Sequence, residues 1–357
     1  MWRKLTLISI ICILVVGLTG CISLTKKTTV TTSNLGGMFL TTDRFETWKH
    51  ISALMTPGEV PGSIGGTNTF FIRFDPSDED AIYVGTKQNG LFYSYSGGNG
   101  WTKSKTLPKG FIRDLVINPK DKCMMYAGVL SGIYKSEDCA RTWQRVWYSD
   151  NEELKQVASL AIDWYEPTVI YAGITDGTLM KTENSGETWY KAATFKSRIN
   201  KIIIDPNYSV NVYVGVIGNG LFKTIDKGKT WENLNVAMGE FKNSNIYHDF
   251  VVSTTPRDHI IYANKYGILR SKDGGKTWLP LNISSKSGEE LFYSVAVDPT
   301  NANYIYYATN SALFKSLDGG ESWATKKMPT TRVVADLEVH PTKPNLIFMG
   351  AKEDPIQ

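Results

Sequence analysis

An eight-residue pattern, Ser/Thr-x-Asp-x-Gly-x-Thr/Ser-Trp, recurs along the chain and constrains its fold more than any other feature. It is complete at Ser271–Trp278, Thr224–Trp231 and Ser316–Trp323, the last with Ser in place of Thr, and four weaker copies can be aligned with it. The seven copies end at Trp48, Trp101, Trp143, Trp189, Trp231, Trp278 and Trp323. Successive tryptophans are 42 to 53 residues apart. A period of roughly 40–50 residues is typical of propellers and solenoids.

The residue types of the pattern predict a hairpin turn. An Asp side chain accepts hydrogen bonds from backbone N–H groups just downstream, and Gly supplies a positive φ without steric strain. The final Trp leaves the turn as a large apolar anchor between sheets. The spacing is too short for a calcium-binding EF-hand loop. We therefore assign a structural role to the residues at the Asp position, which are Asp43, Asp138, Asn184, Asp226, Asp273 and Asp318.

Each repeat contains four short apolar runs separated by turn residues, which predicts four antiparallel strands. The last repeat has only two runs and no turn pattern, and the two missing runs stand at Gly36–Leu40 and in the first copy of the pattern. The two chain ends are therefore expected to complete one sheet. The sequence predicts an all-β fold over residues 35–357, a single seven-bladed β-propeller whose last blade is closed by N- and C-terminal strands.

The first 34 residues do not fit the repeat. Arg3 and Lys4 precede an apolar run, and residues 18–21 (Leu-Thr-Gly-Cys) resemble the lipobox of bacterial lipoproteins. That resemblance implies a signal peptide over residues 1–20 and acylation of Cys21, with residues 21–34 as a flexible tether. It implies an extracytoplasmic protein held to the membrane by lipid, the outer membrane where a cell has two. An ordinary cleaved signal or an uncleaved anchor is the alternative.

Charge and composition favour neither nucleic acid nor a cofactor. The chain has 39 Lys and Arg against 35 Asp and Glu, without a basic block. The four histidines are isolated, no zinc spacing or nucleotide loop is present, and we expect no metal and no cofactor. Cys123 and Cys139 fall nearly opposite each other across a predicted hairpin. We hypothesise that they form a disulfide, the alternative being two free thiols.

The repeated pattern resembles the Asp-box, or bacterial neuraminidase, repeat. This repeat occurs in sialidases, xyloglucan-cleaving glycoside hydrolases, sortilin-type receptors and the photosystem II stability/assembly factor. The fuller phrase of each repeat is most similar to the assembly-factor and xyloglucanase branches. The Arg-Ile-Pro phrase of sialidases is absent, and the single propeller lacks half of a xyloglucanase cleft. The resemblance implies a monomeric, non-catalytic interaction propeller with a protein partner. A glycoside hydrolase or glycan-binding propeller is the alternative.

Charged residues recur where the innermost strands begin. Asp114, Lys201, Asp249 and Asp336 occupy matching places in their repeats, and Arg113, Arg198, His248 and Arg332 lie beside or just before residues at these places. We predict that these eight residues form a charged collar for binding, near the long connection Lys49–Thr69. In the hydrolase alternative, Asp114, Asp249 and Asp336 would supply the paired carboxylates. Solvated loop charge is a third possibility.

Two aromatic pairs complete the candidates, Trp147-Tyr148 and Trp164-Tyr165. Exposed aromatic rings stack on sugar faces, which would favour a glycan ligand. Packing between blades is the other interpretation of these residues.

Overall fold

Seven separate four-stranded antiparallel sheets build the chain, and each is one blade of a propeller. The computed structural model describes residues 33–55, 62–150, 155–283 and 288–354. The predicted signal peptide and Cys21 lie outside these residues, as does all but the end of the predicted tether. The all-β, seven-bladed fold with four strands per blade is confirmed.

Each sheet packs on both faces against neighbouring blades, so the second strands are buried throughout, as at Ile170–Ile174 and Val212–Val216. Numbered in chain order, the innermost strands of blades 1 to 7 are β3 (Thr69–Asp75), β7 (Ile112–Asn118), β11 (Val157–Ile162), β15 (Ile199–Ile204), β19 (Tyr247–Val252), β23 (Ser294–Asp298) and β27 (Val333–Val339). The second strands are β4 (Asp78–Thr86), β8 (Asp121–Val129), β12 (Ile170–Ile174), β16 (Val212–Val216), β20 (Ile260–Asn264), β24 (Asn301–Ala308) and β28 (Ile347–Lys352).

The two remaining strands of each blade flank the repeated turn. The third strands are β5 (Leu91–Ser94), β9 (Gly132–Ser136), β13 (Thr178–Thr182), β17 (Gly220–Thr224), β21 (Ile268–Ser271), β25 (Ala312–Ser316) and β1 (Gly37–Thr41). The outer strands are β6 (Thr102–Lys103), β10 (Gln144–Tyr148), β14 (Tyr190–Thr194), β18 (Glu232–Asn233), β22 (Leu279–Pro280), β26 (Ala324–Lys327) and β2 (Lys49–His50). The one helical element of the described residues is a 3-10 turn at Leu234–Val236.

Blade 7 is shared by the two ends of the chain, as predicted. Its strand order is β2-β1-β28-β27, and β1 pairs with β28 over five residue pairs, Phe39 with Met349 among them. All four of Met38, Phe39, Phe348 and Met349 are buried. The ring is therefore closed by hydrogen bonds and apolar contacts between segments about 300 residues apart in sequence.

The repeated turn has the predicted hydrogen bonds. In blade 4, Asp226 accepts the backbone N–H of Thr230 at 2.9 Å and its hydroxyl at 2.6 Å. The Thr224 hydroxyl donates to Asp226 and accepts the backbone N–H of Gly228 at 3.0 Å. Bonds from the hydroxyls of Thr224 and Thr230 hold the pKa of Asp226 well below its usual range. The carboxylate thus stays ionised and the turn stays closed over the whole physiological pH range.

Two copies of the turn lack the glycine and still adopt its backbone conformation. Phe45 has φ of 75° and Ala140 has φ of 64°, in the left-handed region that favours glycine. The Phe45 ring is buried against Trp48 and Tyr306, which offsets the strain by packing. In the blade 2 turn, Cys139 forms a disulfide with Cys123, and its backbone N–H also donates to the Cys123 carbonyl at 3.2 Å.

Small residues in the second strands allow successive blades to approach closely. A Cβ at Gly215 would lie 2.3 Å from the Tyr247 ring of the next blade, and one at Gly173 would lie 2.4 Å from Ile199. Cations on third strands add a second link between blades. Lys223, for example, donates at 2.9 Å to the carbonyl of Gly274 in the repeated turn of the next blade. Within the part of the chain that the structure describes, no helix is long and apolar enough to cross a bilayer.

Candidate functional site

One residue from each innermost strand lies at the same register position around the central channel. These residues are Phe71, Asp114, Ser159, Lys201, Asp249, Ser294 and Asp336, and each faces a Gly or Ala of its second strand. In six blades a register shift precedes this position. The four charged residues that the sequence aligned, Asp114, Lys201, Asp249 and Asp336, are therefore structurally equivalent.

Each of the three aspartates in this set connects its own blade to the next blade around the ring. In each case one carboxylate oxygen accepts a backbone N–H from the innermost strand of the next blade. The bonds join Asp114 to Leu160 at 2.8 Å, Asp249 to Val295 at 2.9 Å and Asp336 to Ile72 at 2.9 Å. Asp114 also accepts from the Ser159 hydroxyl, which in turn accepts the backbone N–H of Ile202 in blade 4. These carboxylates hold the ring together at its axis.

Two cations within the channel form ion pairs with the aspartates. The Arg73 guanidinium lies 2.8 Å from Asp114, 3.5 Å from Asp336 and 3.7 Å from Glu338. Lys201 lies 2.9 Å from Asp249. Arg73 and Glu338 were not among the predicted site residues. They could have been predicted from the two-residue period of a strand. Arg73 stands two residues after Phe71 and Glu338 two residues after Asp336, so each lies on the same face of its strand as that channel residue.

The Glu338 carboxyl has a pKa that rises far into the neutral range. Its removal from bulk water and the nearby charge of Asp336 raise the pKa of the Glu338 carboxyl to about 8, against the opposing effects of Arg73 and Lys201. Burial also raises the pKa of the Asp336 carboxyl, against the opposing charges of Arg73 and Lys201. The two carboxyls near this guanidinium therefore both hold protons to a higher pH than ordinary carboxyls do.

Replacing Glu338 with glutamine is expected to flatten the dependence of stability on pH. The folded chain holds this proton between the unfolded pKa of roughly 4.3 and the folded pKa of about 8, so the group's contribution to stability falls as pH rises across that window. The melting temperatures of parent and Glu338→Gln, measured from pH 4 to 9, should diverge above pH 5 in favour of the variant. Parallel curves would contradict the raised pKa.

A cavity of about 370 Å³ opens at the mouth of the channel, and a second of about 500 Å³ adjoins it. Both are lined by Arg113, Arg198, Lys352 and Phe70. We call this region the mouth. Seven of the eight predicted collar residues line the first cavity, and Arg332 lines neither cavity. The seven are Arg113, Asp114, Arg198, Lys201, His248, Asp249 and Asp336.

Arg113 and Arg198 carry charge that no described carboxylate balances. Arg113 donates to the Gln156 side chain at 2.8 Å, and its guanidinium lies 4.3 Å from the centre of the Phe111 ring. Burial and the charge of Arg198 lower the pKa of Arg113 to about 10. Burial likewise lowers the pKa values of Arg198 and of Lys352. A set of partly buried cations that repel one another favours binding of an anion.

The other two basic residues of the collar have different surroundings. Burial and the charge of Lys265 lower the pKa of His248 to about 4, so its imidazole is neutral at pH 7. Arg332 is buried, donates to the Asn68 side chain at 3.0 Å and lies 3.5 Å from Glu353. It therefore anchors the end of the long connection between blades 7 and 1. No cluster of three or more potential metal ligands occurs among the described residues.

Comparison with known proteins gives two groups of relatives. Residues 196–343 match the family described as photosynthesis system II assembly factor YCF48. The curated sequence of xyloglucanase Xgh74A from Acetivibrio thermocellus is 29% identical over 140 residues, which cover 32% of this chain and 16% of the enzyme. A probable oligoxyloglucan-reducing end-specific xyloglucanase of Neosartorya fischeri is 32% identical over 93 residues, covering 26% of this chain and 11% of that protein.

Solved structures divide in the same way. A GH74 enzyme of Niastella koreensis superposes with a TM-score of 0.64 at 17% identity, over 85% of this chain and 53% of the enzyme. YCF48 bound to D1 peptide superposes with a TM-score of 0.60 at 16% identity, over 80% of this chain and 94% of YCF48. The resemblance predicted from the repeats is confirmed. At these identities the structures show a shared fold, and function has to be argued from the site.

Proposed function

We propose that the chain is a non-catalytic interaction propeller that binds an acidic segment of a partner protein at the mouth. The observation that carries this proposal is the pair Arg113 and Arg198, whose charges no described carboxylate balances. A carboxylate between them would form charge-assisted, two-pronged hydrogen bonds and relieve their mutual repulsion. Lys87 and Lys352 also line the adjoining cavity, so with the two arginines it has four cationic residues against two acidic ones, Glu353 and Asp354.

The rings beside these cations suit a peptide better than a free anion. Phe70 packs edge-on against Phe111 at 4.5 Å between ring centres, and both line the adjoining cavity. Apolar side chains of a bound segment would contact these rings while its carboxylates meet the arginines. The similar YCF48 structure holds a D1 peptide, which supports a peptide as the class of ligand.

Binding of an acidic peptide is expected to depend on the two arginines. We suggest a fluorescein-labelled twelve-residue peptide of alternating Glu and Leu, with a Gln-for-Glu peptide as its uncharged match. The parent should bind the acidic peptide, and Arg113→Ala with Arg198→Ala should weaken the affinity at least tenfold in fluorescence anisotropy. The affinity should also fall with salt, because the contact is ionic.

Arg257→Ala is the matched control, because Arg257 is also stacked near an aromatic ring, that of Tyr208, but does not line the mouth. It should bind as the parent does. Equal affinity for the Glu and Gln peptides, or unchanged binding by the double variant, would contradict the proposal.

Glycoside hydrolysis is the second candidate, and it rests on Asp336 and Glu338. Both carboxylates lie within 3.7 Å of one Arg73 nitrogen, so they are close enough for a pair of the glycosidase kind. The raised pKa of Glu338 is what a general acid requires. Against it, Asp336 already accepts from two backbone N–H groups and Arg73. Release of reducing ends from xyloglucan that is abolished in Glu338→Gln would favour this candidate.

We also propose that the protein is lipid-anchored through Cys21 and faces away from the cytoplasm. The support is the lipobox-like sequence before Cys21, which lies outside the described residues. A lipid on a tether of about a dozen residues would keep the propeller near the membrane surface, where it would act as a monomeric receptor for a membrane-associated partner.

A further inference from the structure

Neighbouring blades diverge toward the rim of the ring, and apolar side chains that follow the outer strands fill the gaps. Among the described residues six gaps are filled in this way. The filling residues are Ile51 and Ile64, Leu107, Phe195, Leu234 and Met238, Leu281, and Met328. Phe195, for example, contacts the rings of Phe222 and Trp231 in the next blade.

The gap between blades 2 and 3 has a serine at the equivalent place. The backbone N–H of Ser149 donates to Ser131 at 2.9 Å, just as that of Phe195 donates to Gly177 at 2.8 Å in the following blade. A hydroxymethyl group fills far less space than a phenyl ring. A groove of about 570 Å³ lies beside Ser149, within the ~300–1,000 Å³ range of small-molecule sites.

Aromatic rings form the floor and edge of this groove. The register of β10 shifts between Arg145 and Trp147, which turns both Val146 and Trp147 toward the apolar cluster of blade 3. Trp147 is half-buried and lies on the floor with Ile174 and Met180. Tyr148 stands at the edge with 59% of its surface exposed. The Arg145 guanidinium lies over one face of the Tyr148 ring, 4.8 Å from its centre. The groove thus offers Trp147 and the other face of Tyr148 as flat surfaces without being closed.

The polar residues around the groove carry balanced charge. Asp150, Asp176, Lys155 and Lys191 line it with the Thr178 hydroxyl, two acids against two bases. Lys155 lies 3.9 Å from both aspartates. A site without net charge does not select an ion, but its mixture of donors and acceptors matches a ligand whose groups both donate and accept.

We propose that the groove between blades 2 and 3 binds a neutral carbohydrate, with a sugar ring stacked on Trp147 and Tyr148 and its hydroxyls bonded by Asp176 and Lys191. Aliphatic C–H faces of a pyranose pack on aromatic rings, and sugar hydroxyls take both donor and acceptor partners. The groove is separate from the mouth, so this inference does not depend on the proposed peptide binding.

The test is a glycan array probed with the labelled full-length chain, carrying cello-, xyloglucan-, galacto- and N-acetylglucosamine oligosaccharides together with sialylated ones. The affinity for the strongest neutral binder is then measured by calorimetry. Ser149→Phe, which copies the residue of the next gap, and Tyr148→Ala, which changes an exposed side chain, are each expected to weaken it at least tenfold.

Trp164→Ala is the control, since Trp164 is also partly exposed but lies outside the groove. It should leave the affinity unchanged. The proposal is overturned if the parent binds no neutral oligosaccharide on the array. It is equally overturned if Tyr148→Ala and Ser149→Phe bind as the parent does, or if Trp164→Ala removes binding.

Discussion

Replacing Asp114 with alanine is expected to lower the free energy of unfolding by about 3–5 kcal/mol, the usual loss when one member of a buried ion pair is removed. Asp114 is only 3% exposed, and its carboxylate accepts from Arg73, Ser159 and the backbone N–H of Leu160. The variant leaves the partly buried guanidinium without its closest partner, and it removes the acceptor of three buried donors, the third being the backbone N–H of Leu115. Chemical denaturation monitored by tryptophan fluorescence measures the change.

Two further variants make this prediction specific. Asp114→Asn keeps the shape and an acceptor for Leu160 but removes the charge facing Arg73, so its loss should be intermediate. Asp80→Ala removes an aspartate at the surface, 3.9 Å from Lys343, and should change stability by less than about 0.5 kcal/mol. If Asp114→Ala were as stable as Asp80→Ala, the ring aspartates would have no part in joining the blades.

Removing β28 by ending the chain at Asn345 is expected to abolish the folded ring. Ile347, Phe348 and Met349 are buried, and burial of such side chains contributes about 1.5–3 kcal/mol each. That loss is of the order of the ~5–15 kcal/mol that stabilises a whole domain, before the two broken strand pairings are considered. The truncated chain should lack a cooperative thermal transition in circular dichroism.

Adding a synthetic peptide of residues 344–354 serves as the control for the truncation. Because the missing strand pairs along both of its edges, the peptide should insert between β1 and β27 and restore a transition. A scrambled peptide of the same composition should not. A truncated chain that melts cooperatively at the temperature of the parent would show that blade 7 does not close the ring.

The architecture could be predicted because local sequence patterns determine it. The Trp-ending turn fixes its own hydrogen bonds within eight residues, and its spacing counts the blades. The incomplete last repeat then identifies the blade shared by Phe39 and Met349. The equivalence of Asp114, Lys201, Asp249 and Asp336 also followed from the repeat, since register recurs with it.

What these residues contact could not be read from the sequence. The bond from Asp114 to Leu160 depends on how one innermost strand is offset from the next, an arrangement that repeat spacing does not specify. Neither does spacing show that Arg73 meets carboxylates from blades 2 and 7, or that Arg332 is buried beside Asn68. Spacing also does not show which arginines form ion pairs, as Arg73 does, and which do not, as at the mouth. That difference becomes visible only in the three-dimensional structure.

The pairing of β1 with β28 also determines when during synthesis the ring can close. Contacts this distant in sequence form slowly, and here they cannot form before β28 has been synthesised. Blade 7 supplies Asp336, Glu338 and Lys352 to the channel and its mouth. A chain that lacks β28 therefore lacks the closed ring on which the proposed peptide site at the mouth depends.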